Sequence, residues 1–189
     1  GSGKTSTADA VIRAYNPSNG FYTAFNRAIV KDSEKRFGKM LSCKTIHALA
    51  YKYCRPKKPI EDLNYLTIKE PISYEDKAIV IETIDDFFRS SSTNLEEFAK
   101  LKVGDENLQN LALEYADKML RGEINPTFNF LLKNLHLQLL DRETEIDFDL
   151  LILDECQDTT AVALEIFKLI NAKKKLILGD RFQNIYSNR

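Results

Sequence analysis

Seven residues late in the chain, Leu153-Asp154-Glu155-Cys156-Gln157-Asp158-Thr159, join an apolar run to two adjacent carboxylic acids, an amide and a third acid. Adjacent acids can divide labour: one holds a divalent cation and the next accepts a proton from water. The run before them, Phe148-Asp149-Leu150-Leu151-Ile152-Leu153, reads as a strand buried on both faces, as in a parallel sheet. Ligands of such sheets collect at the carboxyl ends of the strands, where Asp154 and Glu155 are expected. The complementary chemistry stands at the start of the chain, in Gly1-Ser2-Gly3-Lys4-Thr5, the tail of a P-loop pattern G-x-x-x-x-G-K-[ST]. In such a loop the backbone N–H groups cradle phosphates, the lysine reaches the β- and γ-phosphates, and the hydroxyl binds Mg²⁺.

Together the two stretches assemble the parts needed to move a phosphoryl group from ATP to water. Gly1, Ser2, Gly3, Lys4, Thr5 and Ser6 form the expected nucleotide-binding stretch. Thr5 and Asp154 are the expected Mg²⁺ ligands, and Glu155 is placed to take a proton from the attacking water. Gln157 and Gln183 follow neighbouring strands and are expected to sense the γ-phosphate, because an amide both donates and accepts. The first glycine of the pattern and the strand that should precede it fall before residue 1. The chain is therefore expected to be a fragment with sheet edges left unpaired, hydrolysing little or no ATP alone.

The elements that must position these groups follow from pattern and punctuation. Thr5 to Tyr15 reads as a helix ended by Asn16-Pro17-Ser18-Asn19-Gly20, and Phe21 to Phe25 as a buried strand. Asn26 to Phe37 reads as a basic amphipathic helix, with Ala28, Ile29 and Phe37 inward and Gly38 as its stop. Met40 to Cys43 is a short strand, and Thr45 opens a helix to about Cys54. Pro56 and Pro59 then mark a boundary. Residues 60–145 read as helical and acidic: a capping box at Ser73 and Asp76 starts a helix to Arg89, and further helices run over 93–101, 106–120 and 126–140. His136 falls in an apolar helix and is expected in the core. After Thr159 and Thr160 another helix carries Val162, Ile166 and Phe167 inward and is closed by Lys173-Lys174-Lys175. Leu176 to Leu178 is the last strand. This order predicts an α/β fold: a parallel sheet over 1–55 and 146–189, interrupted by an inserted helical subdomain over 56–145.

Composition narrows the class. The 189 residues are 43% hydrophobic and 29% charged, ordinary for a globular protein, with no run long enough to span a bilayer. Three cysteines without zinc-type spacing read as free thiols, which fits the cytosol or nucleus. The net charge of −1 hides an asymmetry: residues 1–60 hold twelve Lys/Arg against three Asp/Glu, and the remainder fifteen against twenty-five. A basic first third fits a polyanionic partner.

The ordered series Gly1-Ser2-Gly3-Lys4-Thr5, Phe25-Asn26-Arg27-Ala28, Thr45-Ile46-His47, Asp154-Glu155-Cys156-Gln157-Asp158 and Gly179-Asp180-Arg181-Phe182-Gln183-Asn184-Ile185-Tyr186 resembles the motifs of UvrD/Rep-like superfamily 1 DNA helicases. Cys43-Lys44-Thr45-Ile46-His47-Ala48-Leu49-Ala50-Tyr51 and Thr83-Ile84-Asp85-Asp86-Phe87-Phe88 bring it nearest to the F-box DNA helicase type. The resemblance implies a RecA-like P-loop NTPase lobe with a helical subdomain inserted, the first half of an ATP-driven 3′→5′ translocase on single-stranded DNA, completed by a second lobe in the same polypeptide. By position it assigns Gly3, Lys4, Thr5, Asp154, Glu155 and Gln183 to the nucleotide site. It assigns Phe25, Asn26, Arg27, His47, Tyr186 and Arg189 to DNA contact. Ile46, Arg181 and Asn188 depart from the usual residues, and Cys156 stands for the usual alanine as a small packing residue. A P-loop switch or a DNA-binding scaffold without motor activity is the competing reading. A P-loop kinase is less consistent with the Gln-Asp pair after Glu155.

Overall fold

A computed structural model describes residues 4–179, the side chains of Lys4 and Thr5 excepted. Four parallel strands form one sheet in the order β2-β1-β3-β4: β1 is Gly20–Ala24, β2 Ser42–Cys43, β3 Asp147–Asp154 and β4 Asn171–Ile177. The described strands pair without a gap, because β3 is bonded to β1 on one side and to β4 on the other. The fold is an α/β, RecA-like sheet with helices on both faces.

Alternation along β3 sorts its side chains between two cores. Leu150 and Ile152 face Ala8 and Ile12 of α1 (Lys4–Tyr15) and Val30 and Phe37 of α2 (Arg27–Phe37). Leu151 and Leu153 face the other way, into a larger core built on α3 (Ile46–Cys54), α7 (Phe128–Leu140) and α8 (Ala161–Leu169). Each such residue, fully removed from water, contributes about 1.5–3 kcal/mol. Gly20 starts β1 where a Cβ would lie 2.1 Å from Leu41 Cδ2, so any larger residue would have to displace the buried Leu41 side chain.

Three helices lie between α3 and α7 in sequence: α4 (Tyr74–Arg89), α5 (Leu95–Lys102) and α6 (Glu106–Leu120). Their starts follow the capping residues: the side chains of Ser73, Asn94, Asp105 and Thr127 each accept a backbone N–H from the first turn of α4, α5, α6 and α7. α7 is apolar nearly all round and is buried accordingly, including Lys133 and His136. The core under the sheet runs without interruption into these helices, from Leu151 and Phe167 through Leu131 and Leu135 to Ile84 and Tyr115.

Three local expectations are corrected. In α2 the inward face is Val30, Ser33 and Phe37, while Ala28 is exposed. The strand expected over 40–43 is only Ser42–Cys43, because Met40 and Leu41 are drawn into a turn by hydrogen bonds to the Phe37 carbonyl. Lys173, Lys174 and Lys175 belong to β4, not to the end of α8, which stops at Leu169. An edge strand tolerates such a run because it is largely exposed. The charge still reaches the helix end: Lys175 Nζ donates to the Lys168 carbonyl at 2.7 Å.

Candidate active site and nucleic-acid interface

Asp154 is the last residue of β3 and the register partner of Ala24, the last residue of β1. The strand end buries its carboxylate, which is 8% exposed. Oδ1 accepts the Glu155 backbone N–H at 2.8 Å, and Oδ2 accepts the Tyr22 hydroxyl at 2.5 Å. Burial and the adjacent carboxylate push the Tyr22 phenol far above its ordinary value, so it stays a donor.

Glu155 leaves the strand in the left-handed region, with φ 49° and ψ 50°. A glutamate costs of order 1 kcal/mol there, and such strain concentrates at sites where geometry is dictated by function. The kink turns Glu155 out of the sheet and starts a single 3₁₀ turn over Cys156–Asp158. Gln157 Nε2 then donates to Glu155 Oε2 at 2.5 Å, so the amide holds the second acid. The turn is tied to the next strand connection by the Cys156 N–H on the Leu178 carbonyl at 3.0 Å. A Cβ on Gly179 would lie 2.4 Å from Cys156 Sγ, so the cysteine packs against bare backbone, as a small residue should. Asp158 is exposed.

α1 ends at Tyr15 and the chain turns directly into β1, while Ala8 and Ile12 pack beside Tyr22 and Ala24. The helix therefore runs back along the sheet, with its amino-terminal end toward the strand ends that carry Asp154. Ser6 lies exposed in the first turn of that helix. Lys4 and Thr5 begin it, though their side chains are outside the described set. Gly1, Ser2, Gly3, Gln183, Tyr186 and Arg189 lie outside the described residues. The donor chemistry fits Mg²⁺: Asp154 offers one carboxylate, and among the described residues no cluster of three His, Cys, Asp or Glu competes as an all-protein cage. Mg²⁺ in nucleotide sites takes one or two carboxylates, with phosphates and water completing its shell.

The second group of expected residues follows β1. Phe25 is 38% exposed at the strand end, Asn26 caps α2 by accepting the Ala28 N–H at 2.8 Å, and Arg27 is exposed in the first turn. Asn26 thus has a structural task in this chain. His47, in the first turn of α3, sits between two aromatic rings: its centroid is 5.6 Å from Phe25 and 5.9 Å from Phe128. Burial pushes His47 below its ordinary value, and Arg27 adds to this. The imidazole is neutral at pH 7 and offers a ring face more than a charge.

Beside this row lies an open groove of about 410 Å³ lined among others by Arg27, Lys31, His47, Tyr51 and Phe128, and by Lys44, whose Nζ lies 3.8 Å from Glu34 Oε1 in the same lining. Tyr51 and Phe128 are 51% and 38% exposed. Basic side chains interleaved with presented aromatic faces are the surface that single-stranded nucleic acid uses. Phe128 and Tyr51 were not among the expected residues. The available signal is an aromatic at the first position of a largely apolar helix, directly after the capping Thr127. Tyr22 was also missed as a site residue: a tyrosine in a wholly buried strand must find a partner for its hydroxyl.

A parallel sheet with an acid pair at one strand end and a groove of basic and aromatic side chains beside the next is the arrangement of a RecA-like P-loop domain. A family model described as an AAA domain matches residues 1–189, and the chain belongs to that family. Among curated proteins it is similar to F-box DNA helicase 1 of Gallus gallus, 26% identical over 219 aligned residues. That match covers 100% of this chain and 22% of the relative, so the chain spans about a fifth of the length of the protein it matches. The resemblance to a superfamily 1 helicase motor lobe, read from the ordered motifs, is borne out by these two comparisons. Among the described residues no helix is long and apolar enough to cross a membrane.

Proposed function

We propose that the protein carrying this chain is an ATP-dependent DNA helicase or translocase that moves 3′→5′ on single-stranded DNA. In this reading residues 1–55 and 146–189 form the ATP-binding lobe, and residues 56–145 form the helical subdomain inserted in it. A second motor lobe in the same polypeptide completes the nucleotide site. The protein acts in the cytoplasm, or in the nucleus of a eukaryote.

The observation that carries the reading is the adjacency of two strand ends. β3 delivers Asp154 and Glu155, and β1, bonded to it in register, runs into Phe25, Asn26 and Arg27, the last of which lines the groove beside them. Lys4 and the amides of Gly1, Ser2 and Gly3 hold the phosphates, with Ser6 and Gln157 at the margin of the site. Thr5 and Asp154 hold Mg²⁺, which supplies charge neutralisation at the β- and γ-phosphates. Glu155 accepts the proton of the attacking water. Gln157 fixes the Glu155 carboxylate until nucleotide binds, and Gln183 reads the γ-phosphate. Phe25, His47, Tyr186 and Arg189 line the DNA path, with Phe128 and Tyr51 extending it.

Polarity is tested by translocation along single strands labelled at one end. Arrival-dependent signal at the 5′ end, and none at the 3′ end, is expected. Signal at the 3′ end contradicts the direction, and signal at neither end favours a nucleotide switch or scaffold.

A further inference from the structure

Tyr22 lies in the middle of β1 and is 1% exposed. Phenylalanine would fill the same space, so the hydroxyl has its own task. It donates to Asp154 Oδ2 at 2.5 Å across two strands paired in register. With Oδ1 held by the Glu155 N–H at 2.8 Å, the carboxylate is fixed at both oxygens. Each oxygen keeps a lone pair for a cation or its water shell, in a plane that cannot swing.

We propose that Tyr22 is a positioning residue for Asp154, setting its carboxylate for the metal. The inference rests on the reading of Asp154 as a Mg²⁺ ligand. Outer partners of metal ligands matter on the scale of about 10–100-fold in metal affinity or activity.

The test is a Mg²⁺ titration of binding of a hydrolysis-resistant ATP analogue to the intact protein. Tyr22→Phe should raise the half-saturating Mg²⁺ about tenfold or more, with metal-free nucleotide affinity unchanged. A fluorotyrosine at position 22, which keeps the ring and strengthens the hydroxyl as a donor, should also shift it, and it keeps the test open should the buried Tyr22→Phe variant fail to fold. A folded Tyr22→Phe protein with unchanged Mg²⁺ half-saturation overturns the inference, whatever its turnover. Binding by the unaltered protein that ignores Mg²⁺ overturns instead the assignment of Asp154 on which the inference rests.

Discussion

Ala24 and Asp154 are register partners at the carboxyl ends of two hydrogen-bonded parallel strands. One residue past Ala24 the chain turns into the Phe25-Asn26-Arg27 segment, and one residue past Asp154 it turns left-handed at Glu155. A displacement of either strand end is therefore transmitted to the other through a rigid ladder. That is the physical basis for expecting ATP chemistry and nucleic-acid contact to depend on each other.

Replacing Glu155 with Gln keeps the side chain's shape and its bond to Gln157 while removing the proton acceptor. Turnover should fall by about 10²–10⁴-fold, with nucleotide affinity changed less than about twofold. Single-turnover hydrolysis and equilibrium nucleotide binding on one preparation separate the two effects. Loss of binding in parallel with turnover would show that Glu155 holds nucleotide and does not activate water.

The groove makes two separable contributions to DNA affinity. Phe128→Ala should weaken single-strand binding by about 1–3 kcal/mol, the worth of one base–aromatic stack, and leave the salt dependence unaltered. Lys31→Ala should lower the slope of log affinity against log salt by about 0.7, with little dependence on base identity. Fluorescence anisotropy at several salt concentrations distinguishes them. Because His47 is held neutral, its contribution should be flat from pH 7 to 8.

Among the described residues Lys133 is a buried charge without a carboxylate partner. Its Nζ donates to the Ser90 and Ser92 carbonyls at 2.9 and 2.6 Å and lies 4.5 Å from the Phe87 ring centroid. It thereby fastens the end of α4 to α7. Burial pushes Lys133 down to about 8 from the usual 10.5. Between those values the unfolded chain binds the extra proton, so stability should rise as pH climbs from about 8 to 10, and be independent of this group below. Denaturant melts of Lys133→Met should lack that rise. Lys133→Ala, which also opens a cavity, should cost about 3 kcal/mol at neutral pH.

Asp149 staples the opposite end of the sheet. It accepts from Lys173 Nζ at 2.7 Å, from the Ser18 hydroxyl at 2.6 Å and from the Asn19 N–H at 3.0 Å. Those donors, Lys173 first, hold its carboxyl well below the usual range. Its contribution is complete above the unfolded value near 3.9 and is lost as pH falls through the folded one. Asp149→Asn should therefore lower stability at pH 7 to 8, where the contribution is complete, and flatten the acid limb of the stability profile. An unchanged acid limb would show that the staple carries no stability.

The sequence made the parallel sheet and its catalytic end legible because their signals are local. An unbroken apolar run ending in Asp154-Glu155 has few other readings, and the caps Ser73, Thr45 and Asn26 mark helix starts by their own side chains. Tertiary relationships were not legible. Lys173-Lys174-Lys175 looks like a helix terminus, and only the pairing of β4 with β3 makes it an edge strand. Lys133 is charged in sequence and buried in fact, because its partners are carbonyls at the end of a different helix. Phe128 lies eighty-one positions from His47, and only the packing of α7 beside α3 brings their rings together.

The central claim is that ATP turnover and single-stranded DNA occupancy are coupled through the adjoining ends of β1 and β3. The most direct measurement is the steady-state ATPase rate of the intact protein with and without saturating single-stranded DNA, at fixed Mg²⁺. The account expects DNA to raise the rate at least tenfold, and the Phe25→Ala/His47→Ala double variant to lose most of that rise while keeping its DNA-free rate. Equal rates with and without DNA in the unaltered protein would contradict it.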